Sequence, residues 1–181
     1  MKKIVSLVLV CASICSCFQS KAQAVTLETI KTQLVKDWER AKDYTIAYLN
    51  TMPADKYSFK ANDSVRSFAQ QMLHLAQANV GLLSGAVGNP LAFAGGNLEG
   101  RRTAQTKDSV MYYVVASYDY AINGIKNVST ASFGDKSKFF NFEESKLTWF
   151  MKAFEHQTHH RGQTTIYIRL VGVKPPQERL F

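Results

Sequence analysis

Cysteine is nearly missing from this sequence, and what there is comes early: Cys11, Cys15 and Cys17 all precede residue 18 of 181. A product that begins beyond them has no thiol and no disulfide, so catalysis by a protein thiol is excluded. Long apolar runs are missing as well. After the first residues no stretch approaches the ~20 apolar residues a membrane-spanning helix needs, so no transmembrane span is expected. Charge of a single sign is also modest: the formal net charge of +8 includes Lys2, Lys3 and Lys21, and falls to +5 without them. The remaining basic residues are scattered rather than massed on one helix, which argues for solvated faces and against nucleic-acid binding.

The N-terminus has the pattern of a secretory leader. Lys2 and Lys3 give a positive start, Ile4 to Cys15 is nearly all apolar, and Ala22-Gln23-Ala24 supplies small residues at cleavage-site spacing. Residues 1–24 are therefore expected to be a signal peptide and 25–181 a single domain of an exported, periplasmic protein. Ile14-Cys15-Ser16-Cys17 loosely resembles a lipoprotein signal, so the alternative is a lipoprotein anchored through Cys17; the Ala-Gln-Ala site fits better.

Within that domain four segments carry apolar residues at three- and four-residue steps, the signature of one buried helix face. The first, Leu27 to Leu49, presents Leu27, Ile30, Leu34, Trp38, Ala41 and Tyr48 and stops near Met52-Pro53. The second should start after Asn62-Asp63-Ser64 and reach about Ser84, with Phe68, Met72, Leu75, Ala76, Leu82 and Leu83 on its face. From Gly85 to Gly100 glycine is dense and Pro90 stands among small residues, which predicts a long loop, free to cover another part of the molecule. The third helix is expected over Thr106 to Val128, with Gly124 as its weak point. Residues 129 to 142 fit either a short hairpin or an irregular connection. The fourth helix should begin at Phe142 or Glu143, with Glu143 and Glu144 as charges favoured at a helix start, and run to Val171 before Gly172 and Pro175-Pro176. No alternating strand series competes, so the expected fold is all-α: a four-helix bundle with long inter-helix connections.

Histidine is rare, four residues in all, yet three fall in His156-Gln157-Thr158-His159-His160. On the last helix His156 and His160 share a side with Trp149, Ala153 and Tyr167, in the middle of the apolar stripe. Residues four apart on a helix stack one above the other, so two imidazoles can converge on one ion at ~2.0–2.2 Å. Each could instead be a buried side chain satisfied by a neighbouring hydroxyl or carbonyl; the pair favours metal, because an uncompensated buried polar group costs on the order of 1–3 kcal/mol. Neutral imidazole suits zinc, nickel, iron or copper. His159 points about a third of a turn away and reads as a rim residue, although it too could pair with His156. His74, on the second helix, falls at the edge of its stripe near Gln71 and Ala78, where a structural or surface role is the default.

Several segments resemble the DinB/YfiT-like superfamily of metal-dependent enzymes, its DinB branch in particular. They are Trp38; Leu49-Asn50-Thr51-Met52-Pro53 with Tyr57-Ser58-Phe59-Lys60; Ser64-Val65-Arg66-Ser67-Phe68; His74-Leu75-Ala76 with Asn79; and above all His156 to His160 running into Arg161-Gly162-Gln163, Tyr167-Ile168-Arg169, Gly172 and Pro175-Pro176. The resemblance implies a bundle in which one histidine of the second helix and two of the last hold a divalent metal, here His74, His156 and His160. It brings in His74, which spacing alone leaves out.

Three protein ligands leave a position open, as catalytic rather than structural sites do. The expected function is a metal-dependent hydrolase or transferase using a divalent transition metal such as zinc, nickel, iron or manganese, on a small-molecule substrate the sequence does not specify. Thiol-dependent chemistry, also implied by the resemblance, fits an exported chain less well because low-molecular-weight thiol cofactors are cytoplasmic. A non-catalytic metal or small-ligand binder and a structural bundle with a vestigial site are the alternatives, and a homodimer is open. Asp119 either faces inward or is solvated, Gln163 is the best polar neighbour for the histidines although a core hydrogen-bonding role is the default for it, and Tyr112, Tyr113, Tyr118 and Tyr167 read as packing residues.

Overall fold

The structure, a computed structural model, describes residues 24–181. The expected leader at 1–24, with its cysteines, lies outside the described residues apart from Ala24. Each helix starts where a short hydroxyl side chain can accept from a free backbone N–H. Helix α1 (Leu27–Thr51) is capped by Thr26, which accepts from the Thr29 amide at 3.1 Å, and it ends at Met52, before Pro53. Helix α2 (Phe68–Val87) starts with a capping box between Ser67 and Gln70. It therefore starts later than the Asn62-Asp63-Ser64 cluster suggests. Asn62 turns its carbonyl on the Ser64 amide, 2.9 Å away, and closes a turn instead. Helix α3 (Lys107–Asn127) is capped by Thr106 and ends at Val128.

Residues 129–145 resolve into a 3-10 turn at Thr130–Ser132 and an antiparallel hairpin of strand β1 (Lys136–Phe139) and strand β2 (Phe142–Ser145), with Phe139 opposite Phe142. Helix α4 (Lys146–Leu170) follows at once, capped by Ser145. Glu143 and Glu144 thus belong to β2 and not to a helix start. Ser145, the first residue there with a cap-forming hydroxyl, sets the boundary.

In the bundle α1 packs against α3 and α4, and α2 packs against the same two helices, so α1 and α2 are diagonal. This departs from a simple up-and-down order, in which consecutive helices are neighbours. It also makes α2 and α4 adjacent, and those helices carry the histidines. Trp38, Phe68, Met72, Leu75, Val114, Tyr118, Phe150 and Ile168 are fully buried between them. A polar chain crosses this core: the Tyr118 hydroxyl donates to Gln157 Oε1 at 2.7 Å and lies 2.7 Å from Thr45 Oγ1, while Arg161 donates to the same Gln157 oxygen at 3.0 Å and sits 4.7 Å over the Tyr44 ring.

Two close approaches depend on glycine. At Gly81 and Gly85 a Cβ would lie 3.0 Å from the Phe139 ring and 3.1 Å from Ser137 Oγ, so their absence lets β1 lie against α2. Trp149 Nε1 donates to the Ser137 carbonyl at 3.1 Å and ties the same strand to α4. Gly124, expected as a weak point, is a packing position: a Cβ there would collide with Val87, so α3 and α2 close up at their ends. At the hairpin tip Phe140 adopts φ of 52°. A residue with a Cβ in that region costs about 1–2 kcal/mol, and glycine or asparagine is the usual occupant of such a turn. No helix among the described residues is long and apolar enough to cross a membrane.

Candidate metal centre

The i, i+4 spacing on α4 stacks His156 and His160, with ring centroids 4.3 Å apart and their Nε2 atoms 3.1 Å apart. From α2, His74 comes across the seam to 4.6 Å from the His160 ring and 5.3 Å from the His156 ring. One ring nitrogen from each of the three lies within 4.8 Å of the others. The wheel position of His74, at the edge of its helix, is what a residue at the α2–α4 seam requires. His159 is exposed and contacts Gln163, at 2.9 Å between Nε2 atoms, while its ring stands edge-on to His160 with centroids 5.0 Å apart.

Each imidazole has its ordinary proton affinity suppressed. Burial comes first at His160, followed by repulsion from His156, His74, His159 and Arg66, and brings it to about 3. The same causes, burial first, bring His156 to about 4. His74 is lowered by burial and then by Arg66, against the opposing pull of Glu99. At neutral pH the cluster is therefore three uncharged imidazoles, the protonation state a cation requires of such ligands.

Polar neighbours surround these rings. His74 Nδ1 lies 3.4 Å from Glu99 Oε1 and 3.4 Å from an Arg66 guanidinium nitrogen, and Glu99 and Arg66 are themselves ion-paired. Burial alone would raise the Glu99 carboxyl, but the Arg66 bond and charge, with His74 behind them, hold it below the usual carboxylate range. Glu99 arrives on the glycine-dense loop, whose residues Ala94 to Asn97 line one cavity with His74 and His156. Gln77 of α2 grips that loop, donating to the Ala94 carbonyl at 3.0 Å and accepting from the Leu98 amide at 3.2 Å, with Leu98 buried beneath. On the other side Gln71 Nε2 is 2.9 Å from His160 Nδ1 and in contact with Gln163 Oε1. A half-turn of the Gln71 amide exchanges its donor and acceptor, so Gln71 governs which His160 nitrogen carries the proton. His156 Nδ1 is buried without a partner among the described residues.

Gln163 does neighbour the histidines, but from an exposed position. Asp119 faces Lys42 at 2.6 Å, away from the site. Sequence reasoning missed Glu99, named Gln71 only as a neighbour of His74 on the helix surface, and cited Arg66 only as part of a motif. Gln71 stands one turn before His74 and could have been found from that spacing; Glu99, on an aperiodic loop, gives no such signal.

Fold and site together define a four-helix bundle with a histidine triad bridging two neighbouring helices. The chain belongs to the DinB family, whose model matches residues 22–179. A DinB-like protein from Bacillus cereus shares the fold at 18% identity and a TM-score of 0.69, over 81% of this chain and 95% of that one. A DinB-like protein from Bacillus subtilis does so at 14% identity and a TM-score of 0.58, over 82% and 96%. No curated protein matches the chain.

Proposed function

We propose that the chain holds a divalent transition metal on His74, His156 and His160 and uses it for hydrolysis or group transfer on a small molecule, in the exported product that the leader implies. The observation that carries this reading is the convergence of three uncharged imidazoles from two helices. Without an ion the cluster is poorly satisfied: the facing Nε2 atoms of His156 and His160 can share only one proton, and His156 Nδ1 has no partner among the described residues. An all-imidazole donor set fits zinc, nickel or iron better than manganese, which prefers oxygen. When bound, such an ion supplies Lewis acidity at the positions the three histidines leave open.

The chain's own residues prepare the ligands. Glu99 offers His74 Nδ1 an acceptor, which keeps the proton there and leaves Nε2 with a free lone pair; Arg66 neutralises the carboxylate and fixes its place. Gln71 turns its amide nitrogen to His160 Nδ1 and to Gln163 Oε1, and would do the same for His160 only after a half-turn that brings its carbonyl to Nδ1.

The test is turnover of a panel of esters, amides and thiol adducts by the metal-loaded chain. Activity that disappears with a chelator and returns with one of these ions is expected; full metal loading with no turnover across the panel would leave a binding protein. Glu99→Ala leaves Arg66, a donor, as the sole charged neighbour of His74 Nδ1 and so favours the wrong tautomer. Its affinity for zinc should fall about 10–100-fold in a competition titration against a chromogenic chelator. An unchanged affinity would remove Glu99 from the support of the site.

A further inference from the structure

Three cavities border the triad or its neighbours, and they differ in what lines them. The one of about 830 Å³ is polar, with Lys60, Arg66, Glu99 and Gln163 in its walls, but none of the three histidines lines it. The one of about 770 Å³ is walled by His74 and His156 themselves, facing Gly81, Leu82, Phe139 and Phe140. A third, of about 550 Å³, lies past His156 between Leu82, Trp149 and Phe142, with Lys152 in its wall beside Glu144 and Glu155, to the second of which it is paired at 2.9 Å. A ligand that reaches an ion on His74 and His156 therefore sits against carbon. The one charged side chain lining the 770 Å³ cavity is Glu99, already paired with Arg66.

Phe140 adds the second observation. Its ring is 83% exposed, its backbone is held at φ of 52°, and its ring contact is with Phe139, 4.5 Å away. Phe139 in turn is seated against Gly81. Neither a bulky side chain at positive φ nor an exposed ring stabilises the chain by itself. Strain of this kind at the mouth of a site is accounted for when the ring covers a ligand.

We infer that the substrate carries an uncharged aromatic or branched apolar body beside its metal-binding group, and that Phe140 covers that body. This rests on the metal reading above. It separates the site from those that take phosphorylated or otherwise anionic substrates, which need free cationic side chains around the ion; here Arg66 is paired with Glu99 and Lys152 with Glu155.

The test uses the zinc-loaded chain and two chelating probes that share a head group, acetohydroxamate and benzohydroxamate, measured by calorimetry. Benzohydroxamate is expected to bind at least about ten-fold tighter, from the apolar area it buries. Phe140→Gly and Phe140→Asn, both at ease at that φ, should bring the ratio toward one while metal content holds and the thermal midpoint stays level or rises. Equal affinity of the two probes for the unaltered chain would overturn the inference and leave the metal site standing. So would a preference for phenylphosphonate over benzohydroxamate. A chain that takes up no zinc would sink the metal reading, and this inference with it.

Discussion

Replacing His160 by alanine is expected to take bound metal from about one ion per chain to almost none, a loss greater than the ~10–100-fold that follows removal of an outer partner. His156→Ala should do the same. His160 is the hinge of the cluster: it is 8% exposed, faces His156 Nε2 across 3.1 Å, lies nearest the His74 ring and is the histidine that Gln71 addresses. Two imidazoles cannot hold a borderline ion as three do, because each lost nitrogen is replaced by water. The bundle should survive the change, since α4 keeps Trp149, Phe150, Ala153 and Ile168 in the core. Metal content by emission spectroscopy, read beside helix content by circular dichroism, separates loss of ligand from loss of fold. Full metal content in both variants would end the proposal.

Much of the fold is legible from apolar spacing because helix burial is periodic. Val110, Tyr113, Val114, Ser117, Ala121 and Ile125 form one stripe in the sequence, and all but the half-buried Tyr113 lie on one buried face of α3. Boundaries are less legible where several cap-forming residues compete. Asn62, Asp63, Ser64 and Ser67 can all cap, and the choice falls on Ser67 because Gln70 completes a capping box there. The hairpin is hard to read for a different reason. Its two strands are short and paired only with each other, and only the first alternates in burial, while the second is exposed up to its last residue.

At the site the i, i+4 histidines are visible as a local pattern, whereas His74 depends on which helices become neighbours. That adjacency is a property of the diagonal arrangement of α1 and α2, and no single segment encodes it. Glu99 is further from legibility still. Its position follows from Gln77 gripping the loop and Leu98 filling a hole beneath it, two contacts about twenty residues apart in sequence. Buried Gln157 shows the same limit: it lies within the histidine motif, yet it serves the core chain of Tyr118 and Arg161 and not the metal site.

The burial that keeps the imidazoles neutral should make the metal-free chain sensitive to mild acid. In the unfolded chain these groups take up protons near the ordinary value of 6.5, whereas in the fold His160 waits until about 3 and His156 until about 4. Between those values the unfolded chain binds more protons, so stability present above pH 6.5 is lost as pH falls toward the folded values. The slope is about 1.4 kcal/mol per pH unit for each histidine held neutral. His160, nearly buried, carries the largest share, part of it as repulsion it has in common with His156 and His74. His74 and His156 are half-buried, and solvent screening reduces their share. The charged neighbours set the same sign: Arg66 opposes protonation, and Glu99, which would favour it at His74, is tied to Arg66. Ordinary carboxylates titrate near 4, so the interval from pH 6.5 to 5 belongs to the histidines. Urea midpoints of the metal-free chain should fall steadily across it, and the fall should flatten in His160→Ala. A level profile between pH 6.5 and 5 would mean that the three rings are hydrated in solution and that the cluster is not the buried, neutral donor set on which metal binding depends.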